Sequence, residues 1–409
     1  MLNALPLVFV LIGLVLYTVL AGADFGAGMW QLMSGGGERG ERIRDHCHRS
    51  MGPVWEANHV WLVFVLTVTW TAYPVFFGSV ASTLAVALFI AALGIILRGA
   101  SYALRSGAAG TGEVLTVDRI FAVASLVTPF ALGAAAGAIA AERVPVGNAA
   151  GNAITSWLNP TSILVGLLAV GFSAYLAAVF LAADAARSGE TDLVNAFRAR
   201  ALAAGTVAGG LALAGLIVVH ADDHPLYKGL VHGGPLAILI VSVVVGTTTM
   251  GLNASRRFEV ARYTAALAVA LVVADWAYAR WPTLLPGLTV DQAAAPHDTI
   301  VAVVVAVLAG AVLLFPALTL LFTLTLRGRL EVHGGEIEPV ASAGRTGVAQ
   351  LLLGPTLGGR LALALLIVGI GLLNVADAPW AHALGVASLL AFIIVAFAAL
   401  VPTALAEDA

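Results

Sequence analysis

Long apolar runs repeat along the whole chain and are separated by short polar segments. A helix that crosses the hydrocarbon core of a bilayer needs about 20 largely apolar residues. Eleven runs, bounded by charged residues, Gly or Pro, meet this length. The pattern therefore predicts an all-α, polytopic membrane helix bundle with about eleven transmembrane helices. The predicted spans are residues 5–33, 54–73, 77–97, 120–141, 161–186, 200–219, 235–253, 261–280, 299–326, 358–374 and 383–405.

The basic residues give an independent test of this count. Lys and Arg in short loops favour the cytoplasmic side of a membrane. Seventeen of the twenty basic residues fall in alternate loops, and the loops between them hold Arg143, Lys228 and Arg280. This alternation supports eleven spans and predicts a multi-pass protein whose N-terminus lies outside and whose C-terminus lies in the cytoplasm.

The order of the spans predicts how the chain is divided. Spans one to four and five to eight each make two helical hairpins that start outside, which favours two four-helix bundles followed by a ninth helix. Residues 1–330 would form this membrane core. Residues 331–357 mix Gly, Glu, Arg and Pro, which is typical of a flexible linker, here cytoplasmic. Residues 358–409 would add a C-terminal transmembrane hairpin.

Composition excludes several classes of protein. Hydrophobic residues make up 60% of the chain and charged residues 11%, whereas a soluble domain carries about 25% charge. The membrane segments are therefore the protein itself, and the first run is expected to stay as a helix. The net charge of -3 gives no basis for binding nucleic acid. Cys47, the single cysteine, excludes an internal disulfide and is expected to be an unreactive thiol in a polar loop.

Carboxylates at membrane depth are costly and usually mark a pathway or a buried pair. Asp24 lies late in the first span within the glycine-rich segment Gly22–Gly28, and Glu56 lies early in the second. The glycines let another backbone approach closely. Glu56 and His59 are three residues apart and can touch on a helix, with Asn58 beside them. These four groups could pass protons inward from the cytoplasm.

A simpler interpretation of these acids stays open. Pro53 is suited to the first position of a helix, so Glu56 would only cap its own helix near that start. Asp24 would then pair with an arginine of a loop. Composition alone does not choose between this structural role and proton transfer.

Two segments carry a resemblance to a known family. Gly22–Met29, at the end of the first span, and Gly52–Leu62, opening the second, look like subunit II of cytochrome bd oxidases. The order, the spacing and the placement on helices agree, and Ser125–Pro129 with Leu314–Pro316 add to the likeness, which covers about residues 1–330.

The resemblance implies a function and its partners. The chain would be the non-haem subunit of a quinol:oxygen oxidoreductase in a prokaryotic cell membrane. Subunit I, a separate chain, would bind two b-type haems and one d-type haem, and would meet quinol and oxygen. Asp24 and Glu56 occupy the positions of two acids that the family uses in a proton route from the cytoplasm, with Asn58 and His59 next to them. The chain itself would hold no catalytic residue, while a structurally bound quinone is left open.

The remaining histidines and acids have weaker signals. Of nine histidines only His59 sits within a predicted span, and a bis-histidine haem needs two facing imidazoles. An outer metal site is less expected than a solvated loop at the polar cluster of His220, Asp222, Asp223, His224 and His232. Other expectations are that Asp275 pairs with Arg280 or faces the partner, that Arg98 extends to the interface, and that Pro129 and Pro316 kink their helices.

Two other functions compete with the oxidase subunit. A secondary transporter would place acids near the midplane in equivalent helices of both halves, yet the fifth span has no acid at the depth of Asp24. A purely structural assembly subunit would differ only in that Glu56 conducts no protons. The C-terminal hairpin departs from the family, whose members commonly stop after nine helices, and its role is open.

Overall fold

Almost all of the chain that the computed structural model describes is helical. The described residues are 2–105, 111–326, 357–375 and 378–406, and for residues 51–57 and some other positions in these ranges only the backbone is described. After a short 3-10 turn at Leu2–Ala4, the described helices are α1 (Leu5–Leu32), α2 (Gly37–Ala72), α3 (Pro74–Thr83), α4 (Ala85–Arg105), α5 (Thr111–Ala140), α6 (Pro160–Arg187), α7 (Thr191–Asp222), α8 (His224–Val231), α9 (Gly233–Ala254), α10 (Phe258–Arg280), α11 (Val290–Ala293), α12 (His297–Leu326), α13 (Leu357–Val375) and α14 (Pro379–Ala406). Strands β1 (Thr283–Leu285) and β2 (Leu288–Thr289) pair antiparallel between α10 and α11.

The predicted all-α membrane bundle is confirmed, since ten of the eleven apolar runs each coincide with one helix and the third coincides with two, α3 and α4. Within the described residues, 6 helices are long and apolar enough to cross a membrane by themselves, and 7 are if a bent pair counts as one span. The span number of eleven stays a prediction, as does the orientation of the termini.

The third apolar run is not one straight helix, as the sequence predicted for residues 77–97. Helices α3 and α4 meet at Leu84 with a bend of 82°. Hydroxyl groups on α3 hold it against the segment that follows α5, because Gly147 N–H donates to Ser79 (2.9 Å) and Ala149 N–H to Ser82 (2.7 Å). These contacts between distant parts of the chain explain a break that hydropathy cannot show.

Helix α2 begins well before its apolar part. The segment before Pro53 was expected to be a loop, but the helix starts at Gly37 and continues through Pro53. Ile43, His46 and Cys47 form a buried stripe at helical spacing, and exposed arginines lie around it. Only one face of this amphipathic extension is buried, so most of its residues are polar and its sequence resembles that of a loop.

The helix contacts divide the described chain into two units, Met1–Ala317 and Leu318–Ala409. In the first unit α1 packs on α2, α5 and α6, while α6 packs on α7 and α10. The packed pairs are α1–α2 and α4–α5 in the first half, and α6–α7 and α9–α10 in the second. Two four-helix bundles would give this pairing. In the second unit α13 packs on α14, with Gly369 close to Leu389. Of the predicted linker at residues 331–357, all but Leu357, which begins α13, lies outside the described residues. The predicted domain limits stay predictions.

Candidate functional site

A buried cluster of polar side chains lies where α1, α2, α4 and α5 meet. Asp24 is at its centre, with only 2% of its surface exposed. The glycines around Asp24 make the close packing possible. A Cβ at Gly26 would lie 2.6 Å from the Ala177 Cβ of α6 and closer still to the Ser173 carbonyl oxygen, and a Cβ at Gly28 would collide with Ser125 of α5. Small residues here let α1 approach both neighbours and exclude lipid from the carboxylate.

Arg98 of α4 is the ionic partner of Asp24. Its Nη2 lies 2.6 Å from Asp24 Oδ1 and 3.4 Å from the Asp24 carbonyl oxygen. Its Nη1 donates to Ser125 Oγ, and its guanidinium carbon lies 4.9 Å from the centre of the Phe25 ring and 4.3 Å from that of Phe121. The expectation that Arg98 extends to the interface was wrong, because its side chain is completely enclosed by these partners.

Asn58 of α2 completes the coordination of the carboxylate. It is fully buried, and its Nδ2 donates to Asp24 Oδ2 across 3.2 Å. Each carboxylate oxygen of Asp24 therefore has a donor, one charged and one neutral, which is how a buried charge is stabilised in a region of low dielectric constant. Two of the four residues predicted for the proton route, Asp24 and Asn58, are in direct contact.

The other two predicted residues, Glu56 and His59, lie on α2 beside Asn58. The side chain of Glu56 lies outside the described residues, whereas its backbone is within α2, far from the helix start at Gly37. Glu56 therefore cannot cap the N-terminus of α2, and that alternative is wrong. His59 is half-buried and has an interaction partner. The alternative for Asp24, an arginine of a loop, has the right chemistry but the wrong place, since Arg98 lies in a helix.

Sequence reasoning missed Arg98 and Tyr17 as members of this cluster. Tyr17 lies seven residues before Asp24 on α1, is buried, and interacts electrostatically with both Asp24 and Arg98. One signal for Arg98 was available: it stands directly after the apolar run at residues 77–97 on the side where Asp24 is predicted to lie. A buried acid needs a cation at the same depth.

The polar cluster at the predicted outer side forms ion pairs with arginines. Asp222 pairs with Arg143 (2.8 Å) and accepts a hydrogen bond from the Thr161 hydroxyl (2.6 Å), whereas Asp223 pairs with Arg280 (2.9 Å) and caps α8. His224 stacks on the Tyr227 ring, and His220 meets both of these rings edge to face. No group of three or more metal-ligating side chains is present among the residues that the structure describes. This arrangement is an ionic belt that ties helix ends together.

Asp275 of α10 does not pair with Arg280, one of the two partners expected for it. Arg280 contacts Glu142, Asp223 and the Ala140 carbonyl oxygen. Asp275 is buried within the chain, so it does not present a free surface to another subunit, and its Oδ1 has no hydrogen-bond partner among the described residues. Both expectations for this acid were wrong.

Comparison with known proteins identifies the family of this chain. Residues 2–325 match the family model "Cytochrome bd terminal oxidase subunit II". The chain belongs to the cytochrome bd terminal oxidase subunit II family. The resemblance carried by the two sequence segments is thereby confirmed, and all the polar cluster residues of this subunit II chain fall inside the matched region. Helices α13 and α14 fall beyond it.

Two relatives show how far the likeness to subunit II extends. Over 114 residues the chain is 30% identical to "Cytochrome bd ubiquinol oxidase subunit 2" of Bacillus subtilis (strain 168), which is 28% of this chain and 33% of that protein. The chain thus spans about a third of the length of this curated relative. The structure of bd oxidase from Geobacillus thermodenitrificans superposes with a TM-score of 0.66 and 25% identity, covering 80% of this chain and 98% of that one.

Proposed function

We propose that this chain is the non-haem subunit of a cytochrome bd-type quinol:oxygen oxidoreductase. Its partner would be a separate haem-bearing subunit I that carries two b haems and one d haem and meets quinol and oxygen. Quinol would supply the electrons, the haems of subunit I would transfer them, and the reduction of oxygen to water would consume protons. Family membership supports this assignment, and the similarity to a solved bd oxidase over most of this chain supports it further.

The chain's own contribution would be proton uptake from the cytoplasm. The observation that carries this role is the buried contact between Asp24 and Asn58, because it joins α1 to the same helix that carries Glu56. A charged group held inside four helices costs several kcal/mol to desolvate, and hydrophobic residues could fill the same space. Such a cluster is expected where the protein uses the charge.

The two acids would have different roles in this proposal. Protonating Asp24 would leave Arg98 as an uncompensated cation in a region of low dielectric constant, which is strongly unfavourable. Asp24 would therefore act as a fixed anion that orients Asn58 and neutralises Arg98. Glu56 would be the group that accepts and releases the proton and would exchange it with His59 three residues along the helix. The Asn58 amide, which cannot carry a proton, would orient the hydrogen-bonded groups near Asp24.

Two other functions have less support. For a transporter, α6 should carry an acid at the depth of Asp24, but its acid is Asp184, near the end of the helix and bonded to Arg187 and Arg262. A purely structural subunit would also contain the Asp24–Arg98 pair. The distinction from that role rests on whether Glu56 affects turnover.

The assignment of partner and cofactors has a direct test. The tagged chain would be purified gently from membranes, and an optical spectrum recorded for each fraction. Haem that copurifies only together with a second large subunit supports the proposal. A colourless chain that purifies alone would contradict it.

The sidedness of proton uptake has a second test. The reduced complex in vesicles would be mixed with oxygen while a pH-sensitive dye reports on one compartment. Protons should disappear from the side that carries the arginine-rich extension of α2. Uptake from the other side would reject a cytoplasmic route.

A further inference from the structure

Three buried polar atoms around Asp24 have no hydrogen-bond partner among the described residues. They are the Tyr17 hydroxyl, Asn58 Oδ1 and Arg98 Nε. Leaving a buried polar atom without a hydrogen bond costs about 1–3 kcal/mol. Three such atoms in one cluster would therefore destabilise the fold by several times the cost of one. Polar groups of this kind in native proteins are usually satisfied by ordered water.

Two of the three atoms belong to side chains that contact the Asp24 carboxylate, and the third belongs to a side chain on the same helix face as Asp24. Asn58 and Arg98 contact Asp24 directly, at 3.2 Å and 2.6 Å. Tyr17 interacts electrostatically with both charged groups. Its position seven residues before Asp24 puts it on the same face of α1, since seven residues make close to two turns. On α2, Trp61 follows Asn58 by three residues and packs in the same core cluster as Tyr17. Tyr17 and Asn58 therefore face the same space.

We propose that Tyr17, Asn58 and Arg98 enclose ordered water beside Asp24. Tyr17 is the positioning residue whose hydroxyl binds this water on the side toward the middle of the membrane. Tyr17 lies near the midpoint of α1, about 10 Å from Asp24 along the helix axis. The direction of proton movement rests on the proposed function. The presence of water at this place does not depend on the proposed function. A hydroxyl is suited to such a place because it can both donate and accept a hydrogen bond.

Hydration is tested on the unchanged complex by radiolytic labelling. A short X-ray pulse converts bound water into hydroxyl radicals, and mass spectrometry then measures oxidation at each aromatic side chain. Tyr73 is the control, because it is also buried (1% exposed against 6% for Tyr17) but its hydroxyl donates to Asn3 O (2.6 Å) and accepts from Leu7 N–H (3.0 Å). Tyr17 should be oxidised several-fold faster than Tyr73. Equal rates would overturn the proposal.

The positioning role is tested with Tyr17→Phe, which keeps the ring and removes the hydroxyl. Oxygen uptake should fall about tenfold, since losing one hydrogen bond would raise the barrier by about 1.4 kcal/mol, which is tenfold in rate. Haem content should be unchanged and the solvent deuterium isotope effect larger. Unchanged turnover with labelled Tyr17 would refute the positioning role. The labelling is measured on the complex without turnover. If the Glu56→Gln variant rejects the proposed function, the result of the labelling experiment is therefore still valid.

Discussion

The Asp24 carboxylate on α1 lies 2.6 Å from the Arg98 guanidinium on α4, and both side chains are almost completely buried. Seventy-four residues separate them along the chain, so the pair ties the first helix to the helix that follows the bend at Leu84. Because neither charge can reach solvent, each depends on the other, and the energetic consequences can be measured.

Breaking the pair should destabilise the protein strongly. Asp24→Asn or Arg98→Gln each leaves one buried charge without its counterion, which costs about 3–5 kcal/mol. The double variant should recover part of this loss, because neither charge then remains. Thermal unfolding of the solubilised complex measures the cycle. Arg42→Gln is the control, because its pairs with Glu190 and Asp192 are largely exposed and such pairs contribute about 0–1 kcal/mol. Additive losses in the double variant would mean that the two charges are not coupled.

The contact between α1 and α6 depends on the absence of a side chain at position 26. Gly26→Ala should destabilise the protein by about 1–3 kcal/mol, as overpacking does, since the new Cβ would press on Ser173 and Ala177. Gly210→Ala is the matched change, in helix α7 with nothing within 4 Å of the new Cβ, and it should be neutral or stabilising. If both variants melted alike in a thermal unfolding assay, the close approach of α1 to α6 would be in doubt.

Cys47 should resist thiol reagents in the folded protein. It lies in the extension of α2 before the apolar part of the helix, and burial raises its pKa to about 12. The thiolate, which is the reactive form, is therefore scarce below that pH. Maleimide labelling at neutral pH should be slow in the folded chain and fast in detergent-denatured chain. Rapid labelling of the folded chain would contradict the burial.

The raised pKa of Cys47 also affects the stability of the fold. The pKa of Cys47 is higher in the folded chain than its ordinary value of 9.0. The folded state therefore holds the proton more tightly, and its contribution is fully present below pH 9 and is lost as the pH rises toward about 12. Thermal midpoints recorded above pH 9 should fall less for Cys47→Ala than for the natural chain.

The ionic belt at the predicted outer side should hold helix ends rather than a ligand. Arg280→Gln removes the charged partner of Asp223 and Glu142, and hydrogen bonds to charged groups contribute about 1.5–3 kcal/mol each. We expect a lower thermal midpoint and a normal haem spectrum. Lys228→Gln, an exposed position on α8, should change neither. A loss of haem without a loss of stability would assign this belt a functional role.

Features of the fold that depend on local composition could be predicted from the sequence. Run length and hydropathy were enough to predict the all-α membrane bundle, and the Gly22–Gly28 segment was enough to locate Asp24. The bend at Leu84 and the early start of α2 were missed, because the first depends on hydrogen bonds to residues 147 and 149 and the second on a buried stripe in a polar segment. The partner of Asp24 was missed because the contact joins residues 24 and 98, and the one signal for it was the position of Arg98 directly after an apolar run.

Oxygen uptake by a Glu56→Gln variant of the assembled complex tests the proton route most directly. The amide keeps the size of the side chain and cannot carry a proton, so turnover per haem should fall by roughly two orders of magnitude while the haem spectrum stays the same. Asp192→Asn, an exposed acid at the start of α7, should leave turnover unchanged. Normal turnover in Glu56→Gln with haem retained would contradict proton delivery by this chain and leave it a structural role.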